Sequence, residues 1–311
     1  MSPSALAMAL GTFLSRILGL VREQVFAFLF GASQAMDAFN IAFRIPNLLR
    51  DLFAEGALSS ALVPTLMKAE KDGGRPLADH VVWQVLRALF WVTVALSVLG
   101  AIFSEKLVLL FAPNYAHQPA ALALTTTLTQ ILFPFFPLIA VAAVFMATLN
   151  TRGKFFVPAF ASALFNATSI VVGAALAFVF GRVGWPPIVG MAVGVVAGGG
   201  VQAFCQLPLL RKTGFRRDQA PVRLRDPYVL QILGLMVPGV LGLGATQINL
   251  LVNTILASGL ETGAVSWLNY SFRLMQFPIG LFGVSIAAAT LPVFSKAWAE
   301  GQTGEAKSVL E

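Results

Sequence analysis

Eight ionisable residues lie in otherwise apolar sequence: Arg16, Arg22 and Glu23 in one hydrophobic block, Arg44, Arg50, Asp51 and Glu55 in the next, and Arg273 in a late one. On insertion scales an arginine at the centre of a membrane helix costs about 2.5–3.5 kcal/mol, so it is tolerated only beside water, a partner or the interface. The guanidiniums outnumber the nearby carboxylates, and a forked guanidinium matches phosphate oxygens. The chemistry expected is therefore capture of an anionic, phosphorylated ligand. The alternative is that these arginines pair with Glu23, Asp51 and Glu55 or extend to the interface. Bond-making chemistry has less support. His80 and His117 fall at opposite ends of the expected spans, no acidic metal-binding pair is present, and Cys205 is the only cysteine. Gly198-Gly199-Gly200 lacks the Lys-Ser/Thr of a phosphate loop and reads as close helix packing. A transporter without cofactor or metal is expected rather than an enzyme.

The elements carrying these residues are membrane helices. The chain is 57% hydrophobic and 11% charged, with a mean hydropathy of +0.80, whereas soluble domains carry about 25% charged residues. Apolar runs at 85–103, 131–149 and 188–210 each approach the roughly 20 residues needed to cross a bilayer. The alternation of a transmembrane barrel is absent. The fold class is thus an all-α polytopic membrane protein. Spans are predicted near 4–30, 34–68, 80–111, 119–150, 155–181, 186–210, 227–257 and 263–296, the first being retained rather than cleaved.

Basic residues mark alternate connections: Lys68, Lys71 and Arg75, then Arg152 and Lys154, then Arg211, Lys212, Arg216, Arg217, Arg223 and Arg225. The positive-inside rule makes these cytoplasmic and places the N-terminus inside. The net charge of +7 is scattered through hydrophobic sequence, which argues against nucleic acid. Trp83, Trp185 and Trp298 stand at span ends, where interfacial anchoring suffices.

Arg16 and Arg22 are six residues apart, about 120° out of alignment on an ideal helix, unless the helix unwinds at Gly19. Arg44 and Arg50 share that spacing, with Pro46 expected to break the helix between them and Gly56 forming another weak point. Pro278, Gly280 and Gly283 repeat the device after Arg273, and discontinuous helices of this kind line transporter cavities.

An offset of 228 residues aligns Ala61, Pro64, Lys68 and Ala69 with Ala289, Pro292, Lys296 and Ala297. The expected organisation is a six-helix lobe at 1–211, a basic cytoplasmic linker at 212–226, and the first two helices of a related lobe at 227–311. Four helices of that second lobe would be missing, so a fragment of a longer protein is expected.

Ser15-Arg16-Ile-Leu-Gly19-Leu-Val-Arg22-Glu23, Asp37-Ala-Phe, Pro46-Asn47-Leu-Leu-Arg50, Phe53-Ala-Glu55-Gly56-Ala57 and Phe272-Arg273-Leu-Met-Gln-Phe-Pro278 closely resemble the MurJ (MviN) lipid II flippases, over essentially the whole chain. The resemblance implies a fourteen-helix exporter of the multidrug/oligosaccharidyl-lipid/polysaccharide superfamily, whose last two helices form a lipid-tail groove. It would move undecaprenyl-pyrophosphate-linked peptidoglycan precursor from the cytoplasmic to the periplasmic leaflet of the bacterial inner membrane by alternating access. It further implies that Arg16, Arg22 and Arg273 hold the pyrophosphate and that Arg50 is functionally important, so these four arginines are the substrate-binding candidates. Ser15, Glu23, Asp37, Arg44, Asn47, Glu55 and Gln276 are supporting candidates, Asp37 and Glu55 also as coupling sites. Lipid II, membrane lipids and cell-wall synthesis proteins are the expected partners. Two positions depart from the family pattern: Glu23 replaces an aspartate, and Gln276 replaces a glutamate, which removes any carboxylate role there. The alternative on the same scaffold is an exporter of another lipid-linked oligosaccharide or a drug/cation antiporter, although an arginine-rich cavity would repel a cation.

Overall fold

A computed structural model describes residues 3–51, 56–216, 218 and 226–278, except for the side chains of 3–9, 56, 57, 59 and 277. The described residues form helices and the turns between them: α1 (Pro3–Phe30), α2 (Gln34–Arg50), α3 (Gly56–Ile102), α4 (Ser104–Phe111), a 3-10 turn (Pro113–His117), α5 (Pro119–Leu132), α6 (Phe135–Thr151), α7 (Phe156–Arg182), α8 (Ile188–Phe204), α9 (Leu207–Lys212), α10 (Pro227–Ser258) and α11 (Ala264–Pro278). The chain divides into two compact units, Met1–Trp267 and Leu268–Glu311.

Five helical stretches among the described residues are long and apolar enough to cross a membrane: Ser60–Ile102, Pro119–Thr151, Phe156–Arg182, Ile188–Lys212 and Pro227–Ser258. Several hydroxyls inside them are satisfied locally. The buried hydroxyls of Thr65, Thr125, Thr129, Thr148 and Thr254 each donate to the carbonyl four residues earlier, which satisfies them within their own helix. Several spans are jointed. The backbone of α3 is non-helical at Gly73 and Gly74, which divides one span from the next, and the α5–α6 span turns at Phe133 and Pro134.

Two expected breaks are absent. Helix α1 runs unbroken through Gly19, so Arg16 and Arg22 stay on different faces. Helix α2 continues through Pro46, because a proline removes only one intrahelical bond and neighbouring helices can compensate for it. Of the glycine row of α8, two positions pack closely as expected and one does not: a Cβ on Gly198 would lie 2.5 Å from the Ser169 Oγ and one on Gly199 2.9 Å from the Phe135 ring, whereas Gly200 faces open space; nearby, one on Gly194 would lie 2.6 Å from the Gly173 Cα. Only glycine lets α7 and α8 approach this closely.

Aromatic packing connects the helices that carry the arginines. Phe26 meets Phe39, Phe39 stacks on Phe43, Phe43 meets Phe135 and Phe135 meets Phe165, with ring centroids 4.8–5.9 Å apart. This chain of rings crosses from α1 through α2 and α6 to α7. The basic connections gather at one end of the bundle, where Arg152 and the backbone N–H of Arg216 both bind the Asp79 carboxylate. The turns at Ala32, Tyr115 and Gly263 belong to the opposite end.

Candidate functional site

Arg22 is only 7% exposed. Its guanidinium pairs with Glu23 at 2.8 Å and lies 5.4 Å from the centroid of the Phe165 ring. The carboxylate and the ring face together make a buried charge tolerable. Arg16, about a third of a turn out of alignment, is half-buried and has no ion pair to a described residue. Ser15 contributes its backbone: its carbonyl accepts from the Asn166 Nδ2 of α7 at 3.2 Å, and the same amide binds the Ser162 carbonyl at 3.1 Å. The turn carrying Arg16 is thereby fixed to α7.

On α2, Arg50 donates through Nε and NH2 to one oxygen of Asp51, at 3.1 and 2.8 Å. The other Asp51 oxygen accepts from Asn47 at 3.2 Å and from Gln247 of α10 at 3.1 Å. Arg50, Asn47, Asp51 and Gln247 therefore form one network joining α2 to α10. Arg44 is half-buried on the same helix. Pairing with a neighbouring carboxylate, the alternative from the sequence, is what Arg22 and Arg50 adopt here, and it orients each guanidinium.

Asp37 lies elsewhere, at the other end of α2, and is 4% exposed. Its carboxylate accepts from the Gly263 N–H at 2.6 Å, the Ser266 N–H at 2.8 Å and the Ser266 hydroxyl at 2.6 Å. Asn40 adds a bond to the Ser266 hydroxyl at 3.3 Å. One side chain of α2 thus caps the start of α11, where first-turn N–H groups lack intrahelical partners and the helix dipole favours an anion. Gly263 has φ +97°, and a Cβ there would sit 2.5 Å from the Ala32 carbonyl oxygen, so the close approach requires glycine. Burial, and secondarily the Asp37 charge, push the nearby Tyr115 phenol up to about 12.

Arg273 and Gln276 are exposed on the Leu268–Pro278 part of α11, within the second unit. Glu55 lies outside the described residues. Asn166, Gln247 and Ser266 were missed by the sequence reading. A lone amide inside an apolar helix was the available signal for the first two.

The family model described as lipid II flippase MurJ matches residues 26–311. A curated lipid II flippase MurJ of Burkholderia cenocepacia is 39% identical over 307 residues, covering 96% of this chain and 58% of that protein. A probable lipid II flippase MurJ of Vibrio cholerae is 39% identical over 292 residues, covering 92% and 55% respectively. Among solved structures, the lipid II flippase MurJ in an inward closed conformation superposes with a TM-score of 0.77 at 29% identity, covering 96% of this chain and 59% of that one. A multidrug resistance MATE family transporter in an outward-facing conformation gives 0.63 at 18% identity, covering 98% and 66%, and shares the fold. This chain therefore spans a little under three-fifths of the length of the curated relatives. It belongs to the lipid II flippase MurJ family.

Proposed function

We propose that this chain serves in translocating lipid II, the undecaprenyl-pyrophosphate-linked peptidoglycan precursor, from the cytoplasmic to the periplasmic leaflet of the bacterial inner membrane by alternating access. It acts there as part of a transporter, not as a catalyst. In this reading residues 1–211 are the first lobe, 212–226 a cytoplasmic linker and 227–311 the start of the second lobe, with the N-terminus in the cytoplasm. Arg16, Arg22 and Arg273 bind the pyrophosphate. Arg50 holds the α2–α10 network beside the path, with Ser15, Glu23, Arg44, Asn47, Glu55 and Gln276 in support.

The observation that carries the reading is Arg22, a guanidinium buried among membrane helices and held ready by Glu23 and Phe165. A site prepared for pyrophosphate needs a cation whose desolvation has already been compensated before the ligand arrives. Asp37 supports alternating access, since its bonds to the start of α11 hold the end opposite the basic connections closed.

The test is depletion rescue in cells together with lipid II binding in detergent, using a full-length protein that carries this chain. Arg16→Ala, Arg22→Ala and Arg273→Ala are each expected to lose rescue and to weaken binding at least tenfold, the scale of one charge-assisted contact. Lys212→Ala should behave as wild type. Normal binding in all three arginine variants at normal expression would overturn the assignment.

A further inference from the structure

A cationic cavity lies in the first unit among residues of α3, α6 and α9, none of them the arginines of α1 and α2. Along α3, Trp91, Val98, Leu99 and Ile102 are all exposed, at the i, i+7, i+8 and i+11 spacing of a single helix face. In a membrane-spanning helix an apolar exposed face is the one turned to lipid. Beside it, among α3, α6, α9 and the residues just after α9, is a cavity of about 580 Å³, within the roughly 300–1,000 Å³ of small-molecule sites.

Its inner wall is already ordered. Trp83 stacks on Phe215 at 5.3 Å, and its indole N–H donates to the Arg216 carbonyl at 2.7 Å. The Arg87 guanidinium lies 5.5 Å over the Trp83 ring, while Arg152 covers Phe215 at 5.3 Å. Phe145, 5% exposed, lies deep, and Trp91, 65% exposed, stands at the mouth. Among the described residues the charged lining side chains are Arg87 and Arg211, both cationic, and the others are apolar or aromatic. Arg211 closes α9 at the end of the bundle where the basic connections gather.

An apolar shaft open to lipid, with two guanidiniums at its basic end, has the shape and polarity of an anionic amphiphile in reverse. A free anion would leave the shaft unfilled, and a neutral lipid would bring no charge complementary to the two guanidiniums. We propose that this cavity binds an anionic phospholipid of the cytoplasmic leaflet, with its phosphate between Arg87 and Arg211 and one acyl chain along Phe145 and Trp91. Basic pockets between membrane helices recognise phospholipid head groups in this way. Because Arg87 also donates to the Asp218 carbonyl, a bound head group would hold the residues after α9 against α3.

The proposal is tested with a full-length protein carrying this chain in phosphatidylcholine nanodiscs doped with brominated phosphatidylglycerol or brominated phosphatidylcholine. Bromine quenches indole fluorescence on contact, and the difference from Trp91→Phe isolates the signal at the mouth. Brominated phosphatidylglycerol is expected to quench at a lower mole fraction than brominated phosphatidylcholine. Arg211→Gln should reduce that preference about fivefold, the usual contribution of one basic residue facing an anionic leaflet, and Arg211→Lys should reduce it less. Arg211 decides the test because Arg87→Gln also loosens the chain after α9. Equal quenching by the two lipids, or an undiminished preference in Arg211→Gln, would overturn the site. So would an equal loss in Lys212→Gln, which would mark diffuse surface charge, or displacement of the lipid by inorganic phosphate.

Discussion

The two ends of the first unit are tied in different ways. At the end away from the basic connections, one buried carboxylate, Asp37, takes three hydrogen bonds of 2.6–2.8 Å from Gly263 and Ser266. At the basic end, α3 reaches α10 through exposed or part-exposed pairs: Lys68 to Gln231 at 3.4 Å, Tyr228 to Asp72 at 3.1 Å, and His80 to Asp226 at 3.7 Å. Bonds to a buried charge contribute about 1.5–3 kcal/mol each, while exposed pairs contribute little and are screened by salt. The strong ties at the basic end lie elsewhere, among α3, α6 and the residues after α9, where Arg152 binds both Asp79 and the Thr213 hydroxyl. That end is firm within α1–α9, and α10 is held to it by the buried side chains of Val229, Ile232 and Met236 with only weak, exposed hydrogen bonds. Under the alternating access proposed above, such an imbalance in hydrogen bonding would make the basic end the one that separates first.

The largest effect is therefore expected from Asp37→Ala. Removing the carboxylate leaves two buried N–H groups and a hydroxyl without their acceptor, a loss of about 3 kcal/mol, or roughly a hundredfold in the population opened at that end. With Cys205 replaced by serine, a cysteine at Val265, which is 2% exposed, reports the opening through its labelling rate with a membrane-impermeant maleimide. Labelling should be slow with Asp37 present and fast in Asp37→Ala. An unchanged rate would mean that packing rather than the carboxylate closes this end, and the comparison would fail.

This contrast shows where sequence reading reaches and where it stops. Long apolar runs announce membrane helices because the bilayer fixes their length, and the clustering of Arg152 with Arg216 around Asp79 agrees with the alternation of basic connections. The Arg22–Glu23 and Arg50–Asp51 pairs were legible because the partners are adjacent in sequence. The bond from Asp51 to Gln247 spans 196 residues and joins helices whose relative rotation no periodicity records. Asp37 was visible as an acid near the start of α2, but its acceptor role depends on backbone N–H groups 226 and 229 residues away, and backbone groups leave no mark in residue type. Pro46 and Gly19 misled for a related reason: a residue that permits a break does not impose one when neighbouring helices hold the segment straight.

A smaller effect, which separates firmness within α1–α9 from attachment to α10, comes from Arg152→Ala. The Arg152 and Asp79 side chains are 12% and 10% exposed. Removing the guanidinium leaves Asp79 with the Arg216 N–H as its remaining bond among the described residues. The expected loss is about 2 kcal/mol, below the 3–5 kcal/mol of a fully buried pair. It should lower the melting temperature in detergent by a few degrees, with partial recovery in Arg152→Lys and no change in the Val265 cysteine labelling rate. A melting temperature equal to wild type would show that the cluster is not the firm element described here.

The smallest effect is expected where the geometry is weakest. Lys68→Ala combined with Tyr228→Phe removes two of the three α3–α10 pairs, yet both lie in solvent-exposed positions where water replaces the lost partner at once. A cysteine introduced at Val229, which is 4% exposed beside them, should label only slightly faster in the double variant than in its parent. Raising the salt concentration of the parent should change the rate little, because each of these two pairs joins a charge to a neutral group and leaves no charge–charge attraction to screen. If the double variant instead accelerated labelling as much as Asp37→Ala does at the other end, the two closures would be of equal strength. The order in which they separate would then have to be set by the ligand rather than by the hydrogen bonds of the resting chain.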